Sequence, residues 1–148
     1  MTLVNRLARP MLAAIFVVGG IDALRNPEAR ARLATPVIEP LTRRFPALPE
    51  DPVLLVKVNA AVHVVAGSLL AIGRLPRLSA LALAGSLIPD TMAGHRFWEF
   101  EDAAQRAQQR THLLKNAAIF GGLLTTAMQR RRRRRPAPRR GRTAATKP

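Results

Sequence analysis

The chain has no cysteine, no tyrosine and one tryptophan, and it sets nine acidic residues against 24 Lys and Arg. Without cysteine it forms no disulfide, no thiolate nucleophile, no zinc–thiolate site and no protein-held iron–sulfur cluster. That absence suits either side of a membrane, so the compartment stays open. So few aromatics make a base-stacking surface for single-stranded nucleic acid an unsuitable reading. The shortage of acid leaves a formal charge of +15, which at first suggests a nucleic-acid partner. Its distribution argues otherwise. Ten of the positive charges (Arg130 to Arg135, Arg139, Arg140, Arg142 and Lys147) lie in an acid-free tail from Gln129 to Pro148, and the preceding 128 residues carry only +5. No nucleic-acid role is expected, and 148 residues amount to one domain.

What the chain does have is apolar runs. Pro10 to Ile21 is apolar throughout but only 12 residues long, short of the ~20 that a spanning helix needs. Extending it from Leu3 to Leu24 supplies the length, with Arg6 and Arg9 snorkelling to the headgroups. No small-x-small cleavage site follows it, so a spanning segment fits better than a signal peptide. Residues 53–72, 76–93 and 111–128 are the other runs, and the 73–77 turn makes the second and third an antiparallel hairpin. The spacing therefore predicts an all-α, polytopic four-helix membrane bundle over 1–128, with spans at about 7–24, 53–72, 76–93 and 111–128. A disordered Arg-rich tail at 129–148 follows. Between Arg25 and Pro52, the prolines at 27, 36, 40, 46, 49 and 52 argue against a long helix. Short turns at 27–33 and 37–45 are expected there, with Val37, Ile38, Leu41 and Phe45 on one membrane-facing side. From Gly94 to Arg110 the chain is polar, with a surface helix expected on Phe97, Phe100, Ala103, Ala104 and Ala107.

Four spans put both termini on one side. The amino end, the 73–77 turn and the tail are purely basic, whereas the two longer loops mix charges: five Arg with four acids, and three with three. The positive-inside rule then sets both termini and the short turn in the cytoplasm and both long loops outside, as for a multi-pass protein of the plasma (inner) membrane. At ~1.5 Å of rise per residue, Asp22, Lys57, Asp90 and Lys115 fall in one charged layer near the outer surface. His95, Glu99, His112 and Asn116 lie at or just above it. Two readings follow. Asp–Lys pairs would lock helix register, or the layer would form a polar pocket for a quinone-like head, bound by Asp90, His95, His112, Lys115 and Asn116. His63 sits deeper, near the midplane, on the same helical face as Asn59 four residues before it. That pair reads as an intrabundle hydrogen-bonding element, and the difference in height argues against haem ligation by His63 with His112. Metal ligands are too few for a site, and no zinc signature, phosphate loop or catalytic triad occurs. The arginine run reads as a cytoplasmic anchor on anionic lipid.

Several of these elements carry a resemblance. The Arg9-Pro10-Met11-Leu12-Ala13 opening with Phe16, Gly19 and Gly20, the Gly94-His95-Arg96-Phe97-Trp98 element, Asp102 to Arg106, and His112-Leu113-Leu114-Lys115-Asn116 through Gly121-Gly122 resemble the DoxX family of membrane proteins, in its actinobacterial branch. The resemblance covers about residues 5–128. It implies four membrane helices and an association with redox chemistry: a quinone-linked subunit in some members, a partner in oxidative-stress complexes in others. Where members carry an acid early in the second span, this chain has Lys57 and Asn59. No flavin, haem or cluster motif is present, so a self-sufficient oxidoreductase is not expected, and whether the chain is an enzyme stays open. The expectation is a redox-associated, quinone-linked membrane subunit served by a soluble partner protein. A non-enzymatic scaffold is the alternative, and a small-solute permease, workable only as a homo-oligomer, is a third class.

Overall fold

The computed structural model describes residues 3–94 and 100–129. They form five helices: α1 (Leu3–Arg25), α2 (Pro27–Arg44), α3 (Pro52–Ala71), α4 (Pro76–Gly94) and α5 (Ala103–Met128). No strand occurs among the described residues. The chain is therefore all-α, as the periodic apolar runs indicate.

The helix starts follow from local chemistry. Proline opens α2, α3 and α4, where its missing N–H costs nothing. Asp51 caps α3 by accepting from the Val53 N–H at 2.8 Å, and Asp102 caps α5 by accepting from the Gln105 N–H at 2.8 Å. Gly73 ends α3. It takes φ 74°, with its N–H on the Leu70 carbonyl and the Arg74 N–H on the Leu69 carbonyl, a Schellman closure that turns the chain at once into α4.

Two expectations are corrected here. The segment after α1 is one 18-residue helix and not two short pieces, although Pro36 and Pro40 lie inside it. Both prolines are exposed and stand one turn apart on the same side. The carbonyls they leave without donors, on Arg32 and Pro36, can face outward, so the helix is not broken. In the polar stretch before the last apolar run, residues 95–99, Phe97 among them, lie outside the described residues, and the part from Ala103 is no separate surface helix. From Ala103 it forms the first turns of α5, which at ~1.5 Å per residue is about 39 Å long and exceeds a ~30 Å hydrocarbon core. The cap at Asp102 and the good helix formers Ala, Gln and Arg account for that early start. The tail from Arg130 lies outside the described residues.

Helix α1 packs chiefly on α3, α3 on α4, and α4 on α5, while α2 lies against α3 and α4. The core they share is Ala13 and Phe16 from α1, Ala66 and Leu70 from α3, Ala80, Leu83, Ala84 and Leu87 from α4, and Leu123 from α5. Its many alanines let the helices approach closely, which suits a bundle held by packing in lipid. The outer faces remain apolar. Met11, Ile15 and Val18 on α1, Leu54, Val58 and Val65 on α3, and Leu78, Leu81, Ile88 and Met92 on α4 are all exposed. Apolar surface on that scale belongs against lipid rather than water. Among the described residues, two helical segments, Leu7–Arg25 and Pro52–Ala71, are long and apolar enough to cross a bilayer. In α4 the run is interrupted by Pro89 and Asp90, and α5 begins with polar turns.

Candidate functional site

Close contact between α1 and α3 builds the site. A β-carbon at Gly20 would stand 2.8 Å from the Ala60 carbonyl oxygen and 2.9 Å from the His63 Cβ, so only glycine lets the helices meet at this crossing. One turn earlier on α1, Phe16 lays its ring edge-to-face on the His63 imidazole, with centroids 5.2 Å apart and planes at 80°. The contact helps bury His63, which keeps only 7% of its surface.

Asp90 of α4 reaches the same place. It accepts a hydrogen bond from Asn59 Nδ2 at 2.7 Å through Oδ1, while Oδ2 stands 3.5 Å from His63 Nε2. The second approach lacks hydrogen-bond alignment, and the buried Nε2 has no hydrogen-bond partner among the described residues. The Asp90 side chain is 45% exposed, so one face of the carboxylate stays open. Around this centre, Arg30 of α2 bonds Asp22 of α1 at 2.7 Å and is near enough to act electrostatically on Asp90. Next to Asp90, Thr91 accepts from Asn116 Nδ2 of α5 at 3.1 Å. All five helices thus contribute to one polar cluster.

The family model for DoxX matches residues 5–96. The chain belongs to the DoxX family. That match takes in Asp22, Arg30, Asn59, His63 and Asp90 and ends before α5, so the DoxX segment contains the centre of the cluster but not Asn116. No curated protein and no solved structure matches the chain.

The sequence expectations sort as follows in this DoxX protein. Asp22 and Asp90 both take part, but neither pairs with lysine. Asp22 meets Arg30, and Asp90 meets Asn59 and His63. Lys57 is exposed and forms no ion pair among the described residues, and Lys115 Nζ lies 3.4 Å from His112 Nδ1 on its own helix. The pairing expected between Asn59 and His63 is replaced by a shared approach to Asp90. Side-chain direction explains the change. In a helix the Cα–Cβ bonds tilt toward the amino end. Because α3 and α4 are antiparallel, His63 leans toward the start of α3 and Asp90 toward the start of α4. The two side chains lean toward each other across the height difference that counting residues leaves open. Asn116 joins the cluster edge through Thr91, with His112 one turn before it. His95 lies outside the described residues.

Arg30 and Thr91 were missed. Arg30 stands eight residues after Asp22, beyond the break at Asn26 and Pro27, and the two meet only because α2 folds back. The adjacency of Thr91 to Asp90 was a usable signal. Among the described residues no group of three His, Asp or Glu side chains is placed to hold a metal ion.

Proposed function

We propose that this DoxX protein is the membrane subunit of a redox system and that the cluster around Asp90 receives the head of a quinone. One observation carries the reading: a buried histidine, His63, holds a ring nitrogen without a hydrogen-bond partner beside a half-exposed carboxylate. Buried polar groups are normally satisfied, so an unmet one beside a half-exposed carboxylate suits a ligand oxygen that completes the bond. A quinone offers carbonyl oxygens for hydrogen bonding and an apolar ring for the surrounding helices.

Reduction of a quinone takes two electrons and two protons. Asp90 and His63 would exchange protons with the bound head. The electrons come from a soluble partner protein that carries its own redox centre, because the chain has no motif for one. His112, Lys115 and Asn116 on α5, together with His95, would border the head from the far side. In this arrangement the chain crosses the plasma membrane four times. Its termini and the 72–75 turn are cytoplasmic, the polar cluster lies toward the outer face, and the Arg-rich tail rests on anionic lipid.

The test is calorimetric titration of a short-tail quinone analogue into the protein in nanodiscs. His63→Ala and Asp90→Asn are each expected to weaken binding at least tenfold, a loss of ~1.4 kcal/mol or more, with the helical content unchanged. Equal affinity in both variants would remove the pocket. The scaffold reading keeps one specific support: the Arg30–Asp22 and Asn59–Asp90 bonds tie α1 to α2 and α3 to α4. It expects Asp90→Asn to lower thermal stability while leaving any quinone binding intact.

A further inference from the structure

The opposite end of the bundle has an arginine with unmet donors. Arg9 of α1 and Arg77 of α4 converge on Gln129, the residue that closes α5. Arg77 donates to the Gln129 carbonyl through Nε at 3.0 Å and Nη2 at 2.7 Å, and Arg9 Nη2 reaches Gln129 Oε1 at 3.4 Å. The Arg77 fork thereby caps the negative end of the α5 dipole. Arg9 is less well served. Its Nε and Nη1 are buried and have no hydrogen-bond partner among the described residues. A guanidinium cannot shed its proton, so burying unpaired donors on it is costly.

The protein has no carboxylate side chain to offer here. All nine acids lie within residues 22–51 and 90–102 of the sequence, whereas the described segments that form this end (the start of α1, the α3–α4 turn and the end of α5) contain none. No counter-charge stands at this end among the described residues, so an anion from outside the chain fits the unmet donors. At the end of a membrane bundle the available anion is the headgroup phosphate, which suits the planar arginine fork.

We infer that Arg9 and Arg77 form a binding site for the phosphate of an anionic phospholipid, built into the helix ends and separate from the arginine run. Its occupant needs only the flexible Arg9 stem to release the long 3.4 Å contact and turn its unmet donors toward the headgroup. The site does not depend on the quinone reading, since it lies at the other end of the bundle.

The full chain in nanodiscs of phosphatidylcholine, with or without phosphatidylglycerol, tests this through thermal unfolding and through native mass spectrometry of retained lipid. The native chain is expected to gain thermal stability with phosphatidylglycerol and to retain it. Changing Arg130 to Arg135 to Gln should release the lipid that the tail holds and preserve the gain in thermal stability, whereas Arg9→Gln with Arg77→Gln should abolish that gain. If that pair fails to fold, Arg9→Lys keeps the charge without the fork and is expected to gain several-fold less stability from phosphatidylglycerol. An undiminished gain in the Arg9 variants, loss of the gain in the tail variant, or no response to phosphatidylglycerol would overturn the assignment. An equal shift with inorganic phosphate in phosphatidylcholine discs would overturn the lipid as its source.

Discussion

Gly20 decides how closely α1 and α3 approach, and so whether Phe16 can cover His63. Gly20→Ala forces a methyl against the Ala60 carbonyl at 2.8 Å, and the expected cost is about 1–3 kcal/mol. Gly85→Ala is the control, because nothing lies within 4 Å of a β-carbon there; helix propensity then favours alanine by up to ~1 kcal/mol. Thermal unfolding in detergent should separate the two variants in opposite directions, and an equal response would mean that the close crossing does not matter. At this scale the sequence was only partly readable. Asp22, Asn59, His63, Asp90 and Asn116 could be marked, because polar groups inside apolar runs are costly and rarely idle. Their partners could not, because pairing depends on side-chain tilt and on helix offset. Asp90 chose Asn59 and His63 over a lysine for that reason, and Lys57 turned outward.

Among the elements, α2 departs furthest from expectation. Proline rules argued for a break, yet Pro36 and Pro40 sit on the exposed side while Ala31 on the other side is buried. Burial of one face outweighed local propensity, which residue counting does not capture. If the prolines are only tolerated, Pro36→Ala with Pro40→Ala should raise thermal stability, recovering part of the ~3 kcal/mol that an interior proline costs. A fall in stability would instead mean that the prolines help position Arg30 on Asp22. Helix α5 was misjudged in the other direction, as its polar first turns were read as a separate piece. Its early start rests on the Asp102 cap, so Asp102→Ala should fray those turns at a cost of ~1 kcal/mol, visible as faster amide exchange over 103–108 and unchanged exchange near Leu123. The helices with continuous apolar runs, by contrast, could be located from sequence because lipid-facing and buried faces both demand apolar residues.

For the molecule as a whole, charge asymmetry links fold and proposed function. The acids gather at one end with the polar cluster, and the other end is basic without relief. On the proposed reading, that separation would orient the bundle, give a quinone head a proton-exchanging site near one face and leave Arg9 to a lipid phosphate at the other. The account therefore depends on four crossings that place these ends on opposite sides of the membrane. Because the chain has no cysteine, single replacements report cleanly, and labelling of Glu50→Cys, Ile72→Cys, Glu101→Cys and Thr143→Cys in intact cells with a membrane-impermeant maleimide is the most direct measurement. Reaction at positions 50 and 101, with protection at 72 and 143 until the membrane is permeabilised, is the expected pattern. Reaction at 72 and 101 from the same side would contradict the four-crossing bundle.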